Sequence, residues 1–184
     1  MNGYKIRLIL YSSVTTWREF EIPKDISFKQ LHILIQKAFG FEDYHNYEFR
    51  VPEYIAEEDA VDLNTAVKTI HYTQAENTKI DEILDENSVL LYVYDFGCEW
   101  EIIIEKTEDI DYKYKTALLT DYKGKYNPSE DIGMHAFERI AETLYKEDNK
   151  KLDNVLEEFY LTRGEISSMR FEKKYKKGSK IRLN

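Results

Sequence analysis

Tyr4, Ile6, Leu8 and Leu10 alternate with Lys5, Arg7 and Ile9, the period of two expected of a strand with one buried face. The polar run from Ser12 to Thr16 interrupts the pattern, and extended character resumes from Trp17 to Ile22 before Pro23. The first element is therefore a predicted β-hairpin. The period then changes. Leu31, Leu34, Ile35, Ala38 and Phe39 fall at helical spacing. Ser27 and Gln30 stand where a capping box needs them, and Gly40 is placed to close the helix in a left-handed conformation. Tyr47, Phe49 and Val51 return to strand spacing, expected to end at Pro52.

Strand, strand, helix, strand is how a β-grasp begins, an order that other α+β folds share. The predicted class is α+β, β-grasp-like (ubiquitin-like): a mixed sheet with one packed helix, an added central hairpin and a helical C-terminal part.

Residues 53–77 carry Glu53, Glu57, Glu58, Asp59 and Asp62 without a clean period and read as an acidic surface excursion. Thr78 is placed to cap a short helical turn with Ile80, Ile83 and Leu84 inward. From Val89 to Tyr94 both faces are apolar, as in a central strand, whereas Trp100, Ile102 and Ile104 alternate with Glu101, Ile103 and Glu105. Asp95 to Glu99 joins these two runs. In that turn Gly97 is free to supply a positive φ, and Asp95 is suited to accept a backbone N–H two residues on. One more strand is expected over 114–119. Asn127-Pro128-Ser129-Glu130-Asp131 reads as a helix start, followed by the stripes Ile132, Ala136, Ile140, Leu144 and Leu152, Val155, Leu156, Phe159. This divides the chain into an α+β core over 1–120, a helical appendage packed on it over 121–169, and a basic tail over 170–184.

At 184 residues, 42% hydrophobic and 14% aromatic, the chain can bury a real core and is not disordered. Its one cysteine, Cys98, excludes an intramolecular disulfide and any multi-cysteine metal centre, which suits a reducing compartment, and the cytoplasm is the expected location. The first residues have too short an apolar stretch for a signal peptide, and no window is long enough for a membrane span. The net charge of −9 is uneven: residues 170–184 hold seven Lys or Arg against Glu172 alone, so the rest is more acidic still. An acidic body repels a phosphate backbone. Contact with nucleic acid is then expected only through the tail, whose main reading is a solvated C-terminus.

Several chemistries drop out. Asp95-Phe96-Gly97 matches a kinase tripeptide, yet the chain has no Gly-rich loop, strand lysine or His-Arg-Asp loop to accompany it. The glycines are too scattered for a phosphate cradle. His32, His45, His71 and His135 show no helical pairing that sets two metal ligands on one face. No metal and no cofactor is expected. His32 reads as structural. Cys98 sits beside Glu99, the opposite of the electropositive setting that activates a thiol. Glu101 and Glu105 lie on the polar face of their strand. His45 and Asp95 remain as the weak catalytic candidates.

Ala38-Phe39-Gly40-Phe41, Tyr44-His45-Asn46-Tyr47-Glu48-Phe49, Tyr92-Val93-Tyr94-Asp95-Phe96-Gly97 with Trp100, and Asn127-Pro128-Ser129-Glu130-Asp131-Ile132-Gly133 together resemble the motifs of the Ri-plasmid ORF-three-like family. The resemblance spans residues 4–160. It implies a domain of unknown function found on plasmids, mobile elements and prokaryotic chromosomes. Two positions depart from the family pattern: its acid after the glycine is Cys98 here, and its histidine two residues after the tryptophan is Ile102.

The leading functional expectation is a non-enzymatic binding module for a protein partner, with Tyr44, His45, Tyr47, Asp95 and Trp100 as binding residues; a high tyrosine content suits contact surfaces. One alternative is a small metal-assisted hydrolase using His45 and Asp95. The other is an accessory protein of a plasmid or mobile DNA element.

Overall fold

A computed structural model of the chain describes residues 2–55 and 60–184. The N-terminal hairpin is formed by β1 (Gly3–Leu10) and β2 (Thr16–Pro23). α1 (Phe28–Phe39) follows. Its Ser27 hydroxyl accepts the Gln30 N–H while the Gln30 side chain accepts the Ser27 N–H, and Gly40 closes it at φ 77°. Next come β3 (Tyr47–Ile55), β4 (Ala60–His71), the short α2 (Asp81–Leu84), β5 (Val89–Tyr94), β6 (Trp100–Ile110) and β7 (Thr116–Lys123). The C-terminal part holds α3 (Gly133–Tyr145), α4 (Asn149–Glu158), α5 (Arg163–Ser168), a 3-10 turn over Phe171–Lys173 and β8 (Lys180–Arg182).

The strands form an eight-stranded sheet in the order β4-β3-β5-β6-β1-β2-β7-β8. Every pairing between them is antiparallel. This corrects the mixed sheet expected from the sequence. A mixed sheet needs a parallel pair. The strands that could have formed it, β1 and β5, run in the same direction but are held apart by β6, which is antiparallel to both.

Alternation decides which face is covered. Tyr4, Ile6, Leu8 and Leu10 of β1, Phe20 and Ile22 of β2, and Trp100, Ile102 and Ile104 of β6 are buried. They share one hydrophobic cluster with Leu31, Leu34, Ile35 and Phe39 of α1, and with Phe137, Ile140, Leu156 and Ile166 of the C-terminal helices. The opposite face carries ion pairs above a partly covered apolar layer. Glu19 binds both Lys5 (3.3 Å) and Arg7 (2.9 Å), and the Arg7 guanidinium lies 4.8 Å from the Trp17 ring centre.

Several local expectations change. β3 continues through Pro52 to Ile55, because its pairing with β5 ends at Arg50 and Pro52 stands at a register shift against β4, where a missing N–H is tolerated. The middle of the acidic excursion, Ala60–His71, is the edge strand β4, and Glu53 to Ile55 belong to β3. Its acids Glu57, Glu58 and Asp59 lie outside the described residues. Thr78 does not cap α2, whose N-terminus has no side-chain cap. In the β5–β6 turn the positive φ values belong to Asp95 (57°) and Glu99 (50°) rather than to Gly97. The predicted helix start at Asn127–Asp131 is loop, and α3 begins only at Gly133.

Candidate functional site

Three connections meet at one end of the sheet: the α1–β3 loop, the β5–β6 turn and the loop before α3. Tyr94, the last residue of β5, ties them together. Its hydroxyl accepts the Tyr44 N–H (3.0 Å) and the His45 N–H (3.3 Å) and donates to Glu130 Oε1 (2.9 Å). Burial and the hydrogen bond to Glu130 raise the Tyr94 phenol well above its usual range, so it stays a donor. Glu130 Oε1 also accepts the Glu42 N–H (2.6 Å).

The result is a cluster of His45, Asp95 and Glu130. His45 Nε2 stands 3.7 Å from Asp95 Oδ2 and 3.8 Å from Glu130 Oε2, both beyond hydrogen-bond reach. The carboxylates are well covered, at 14% and 10% side-chain exposure, whereas His45 is 45% exposed. Glu130 Oε2 is buried and has no hydrogen-bond partner. Asp95 Oδ1 accepts the Gly97 N–H (3.1 Å), and the Asp95 carbonyl accepts the N–H groups of Cys98 (3.1 Å) and Glu99 (2.6 Å). The turn role read from the sequence is therefore met by one carboxylate oxygen, and the other faces His45.

The remaining expected residues divide by exposure. Tyr44 is 75% exposed and flanks the cluster, as does Phe96 at 50%. Tyr47 and Trp100 are core residues: Tyr47 stacks on His32 with ring centres 3.6 Å apart, and Trp100 lies 5.4 Å from Phe41. Burial keeps both from touching a partner directly, so they support the loops instead. Cys98 is exposed, and its thiol is raised by partial burial and by the hydrogen bond and charge of Asp95, which leaves it a poor nucleophile. Ile102, where the family pattern has histidine, is buried opposite Tyr92 and Leu10, and apolar packing fills that place. Among the described residues no group of three His, Cys, Asp or Glu side chains is arranged to hold a metal ion.

Sequence reasoning missed Glu130 as a site residue. Its only signal was membership in the family-like segment Asn127–Gly133, which reads in the sequence as a helix start.

A second polar set lies beneath the site. His32 is buried, with Nε2 2.8 Å from Asp43 Oδ1 and Nδ1 2.8 Å from the Tyr92 hydroxyl, which also accepts from Gln36 Nε2 (3.0 Å). Gln36 Oε1 accepts the Asp43 N–H (2.9 Å). Burial holds His32 down to about 4 against the opposing pull of Asp43. A neutral ring with its proton on Nε2 satisfies every member of the chain: Gln36 donates to Tyr92, Tyr92 to His32, and His32 to the Asp43 carboxylate. Asp43, at φ 60°, is thereby fixed two residues before His45.

An α+β protein built on one antiparallel sheet, with a polar cluster where three loops converge, is the class that fold and site define. The chain belongs to the family of plasmid pRiA4b ORF-3-like proteins, whose model matches residues 3–173. Among solved structures it is similar to a protein of unknown function from Methanosarcina mazei Go1, at 22% identity and TM-score 0.62, covering 84% of this chain and 87% of that one. That likeness is one of fold. No curated protein matches the chain. No helix among the described residues is long and apolar enough to cross a membrane.

Proposed function

We propose that the chain is a binding module without catalytic turnover, and that it meets a protein partner at the loop end holding Tyr44, His45, Asp95, Phe96 and Glu130. The observation that carries this reading is the pair of exposed rings, Tyr44 and Phe96, beside a polar cluster that the fold holds in place through Tyr94. Exposed aromatic side chains next to fixed polar groups are what contact surfaces favour.

The hydrolase alternative draws less support. His45 and Asp95 do meet, but Asp95 spends one oxygen on its own turn and the nearby thiol is raised rather than activated. The metal-assisted reading needs three or more ligands gathered round an ion, and among the described residues no such group of His, Cys, Asp or Glu is arranged to hold one.

The test is capture from the source cell by the wild-type chain and by the double variant Tyr44→Ser, Phe96→Ser, with Tyr160→Ser as a surface control, since Tyr160 is 95% exposed on the helical part. A partner recovered by wild type and control but lost with the double variant is the expected result. Equal recovery by all three would place the contact elsewhere.

A further inference from the structure

We propose that the loop end is a receptor for a protonated basic side chain, an arginine guanidinium or a lysine ammonium, presented by a protein partner. This rests on the binding reading above and names the chemistry of the partner.

The argument begins with Glu130. Its side chain is nine-tenths buried, and Oε1 is fixed by the Tyr94 hydroxyl and the Glu42 N–H, so the fold rather than a free rotamer sets the position of Oε2. That second oxygen accepts no hydrogen bond from the described residues, and His45 Nε2 stands 3.8 Å from it. A buried acceptor left unpaired costs free energy, and more when it is charged. A donor arriving from outside recovers that cost.

Asp95 makes the vacancy specific for a cation. Its Oδ2 lies, like Glu130 Oε2, just outside hydrogen-bond reach of the same His45 nitrogen. Two carboxylate oxygens thus converge on one half-exposed nitrogen without hydrogen-bonding it, an arrangement that suits a group with several N–H donors and a positive charge. The surroundings add negative potential. The Tyr44 phenol is raised by its hydrogen bond to Glu42, with Glu130 and Asp131 acting in the same direction. The exposed rings of Tyr44 and Phe96, next in sequence to His45 and Asp95, offer cation–π contact to a guanidinium or ammonium. A bare metal ion fits less well, because the donors do not form a metal-spaced group.

Short acetylated, amidated peptides test this on the full chain at low salt. One carries two arginines spaced by glycine, one two lysines, and one two citrullines, which keep the shape of arginine without its charge. Backbone amide shifts of Glu42 and Asn46 in the α1–β3 loop and of Gly97 in the β5–β6 turn are the readout. The arginine or lysine peptide is expected to move these amides while the citrulline peptide does not. Glu130→Gln and Asp95→Asn, each confirmed folded by an unchanged pattern of core amides, should weaken binding at least tenfold.

Equal binding of the citrulline peptide, or unchanged affinity in both variants, would overturn the proposal, as would zinc or calcium moving the same amides at lower concentration than either basic peptide. If capture through Tyr44 and Phe96 persists while charge proves irrelevant, the binding reading stands and this inference alone fails. If basic peptides bind as expected but no partner depends on Tyr44 and Phe96, the receptor chemistry stands and the contact surface must be redrawn.

Discussion

Arg18 is fully buried on β2, and among the described residues its hydrogen-bond partners are neutral oxygens. Its guanidinium donates to the carbonyls of Trp17 (2.9 Å) and Lys123 (2.6 Å) and to Asn127 Oδ1 (3.0 Å), and lies 3.9 Å from the Phe171 ring centre. Burial pulls it down to about 9, the direction expected of a cation stripped of water. One side chain thus joins β2, the end of β7 and the C-terminal segment. Arg18→Ala would strand three acceptors and open a void. A loss of roughly 3–5 kcal/mol in urea unfolding is expected. His32 gives a pH prediction. Its pKa is about 4 in the fold against 6.5 when free, so the unfolded chain binds the extra proton between these values. Stability is fully present above about pH 6.5 and declines as pH falls toward 4, by roughly 3 kcal/mol in total. The carboxylates whose pKa is lowered by folding, such as Glu19, Asp85 and Asp121, have ordinary values of 4.5 or below, so they act mainly further down. Urea midpoints between pH 7 and 5 isolate the histidine. His32→Gln should flatten that part of the profile, and an unchanged slope would remove His32 as its cause.

At the scale of elements, legibility followed the number of agreeing signals. α1 was readable because stripe, capping box and closing glycine coincide, and each recurs in the structure. Ser27→Ala should therefore cost about 1 kcal/mol. Gly40→Ala should cost about 1–2 kcal/mol, since it forces φ 77° on a residue with a Cβ that would stand 3.0 Å from Asn127 Nδ2; thermal unfolding of both variants measures this. The β5–β6 hairpin was equally clear, because the burial of Trp100, Ile102 and Ile104 follows its alternation. β4 was hidden for a physical reason. As an edge strand with most residues at least partly exposed and a register break opposite Pro52, it has no buried face to impose a period. The site was half legible. His45 and Asp95 stood out as residues in turns, but Glu130 arrives from a loop distant in sequence, and only the fold shows that Tyr94 gathers all three.

The whole molecule shows best where charge counting misleads. Residues 170–184 read as a solvated basic tail, yet Phe171, Ile181 and Leu183 are buried in the common cluster. β8 pairs with β7 through Thr116↔Arg182, Ala117↔Ile181 and Leu118↔Lys180. Lys37 of α1 donates to the carbonyls of Arg182 (2.7 Å) and Asn184 (3.2 Å). Alternation explains the outcome: Ile181 and Leu183 point inward while Lys180 and Arg182 point to solvent, so the charges cover an edge that the apolar residues anchor. Ending the chain at Lys177 removes two fully buried aliphatic side chains and bares the β7 edge. At about 1.5–3 kcal/mol for each side chain, a loss of roughly 3–6 kcal/mol is expected. For a chain of this size, at about 2–4 °C per kcal/mol, that corresponds to a fall of at least about 6 °C in the unfolding midpoint. Lys174→Gln with Lys176→Gln removes charge from the same segment without touching the core, and should change stability by no more than about 0.5 kcal/mol each. Calorimetry on the two proteins separates the readings: a solvated tail predicts that neither change matters, whereas a structural edge predicts that only the truncation does.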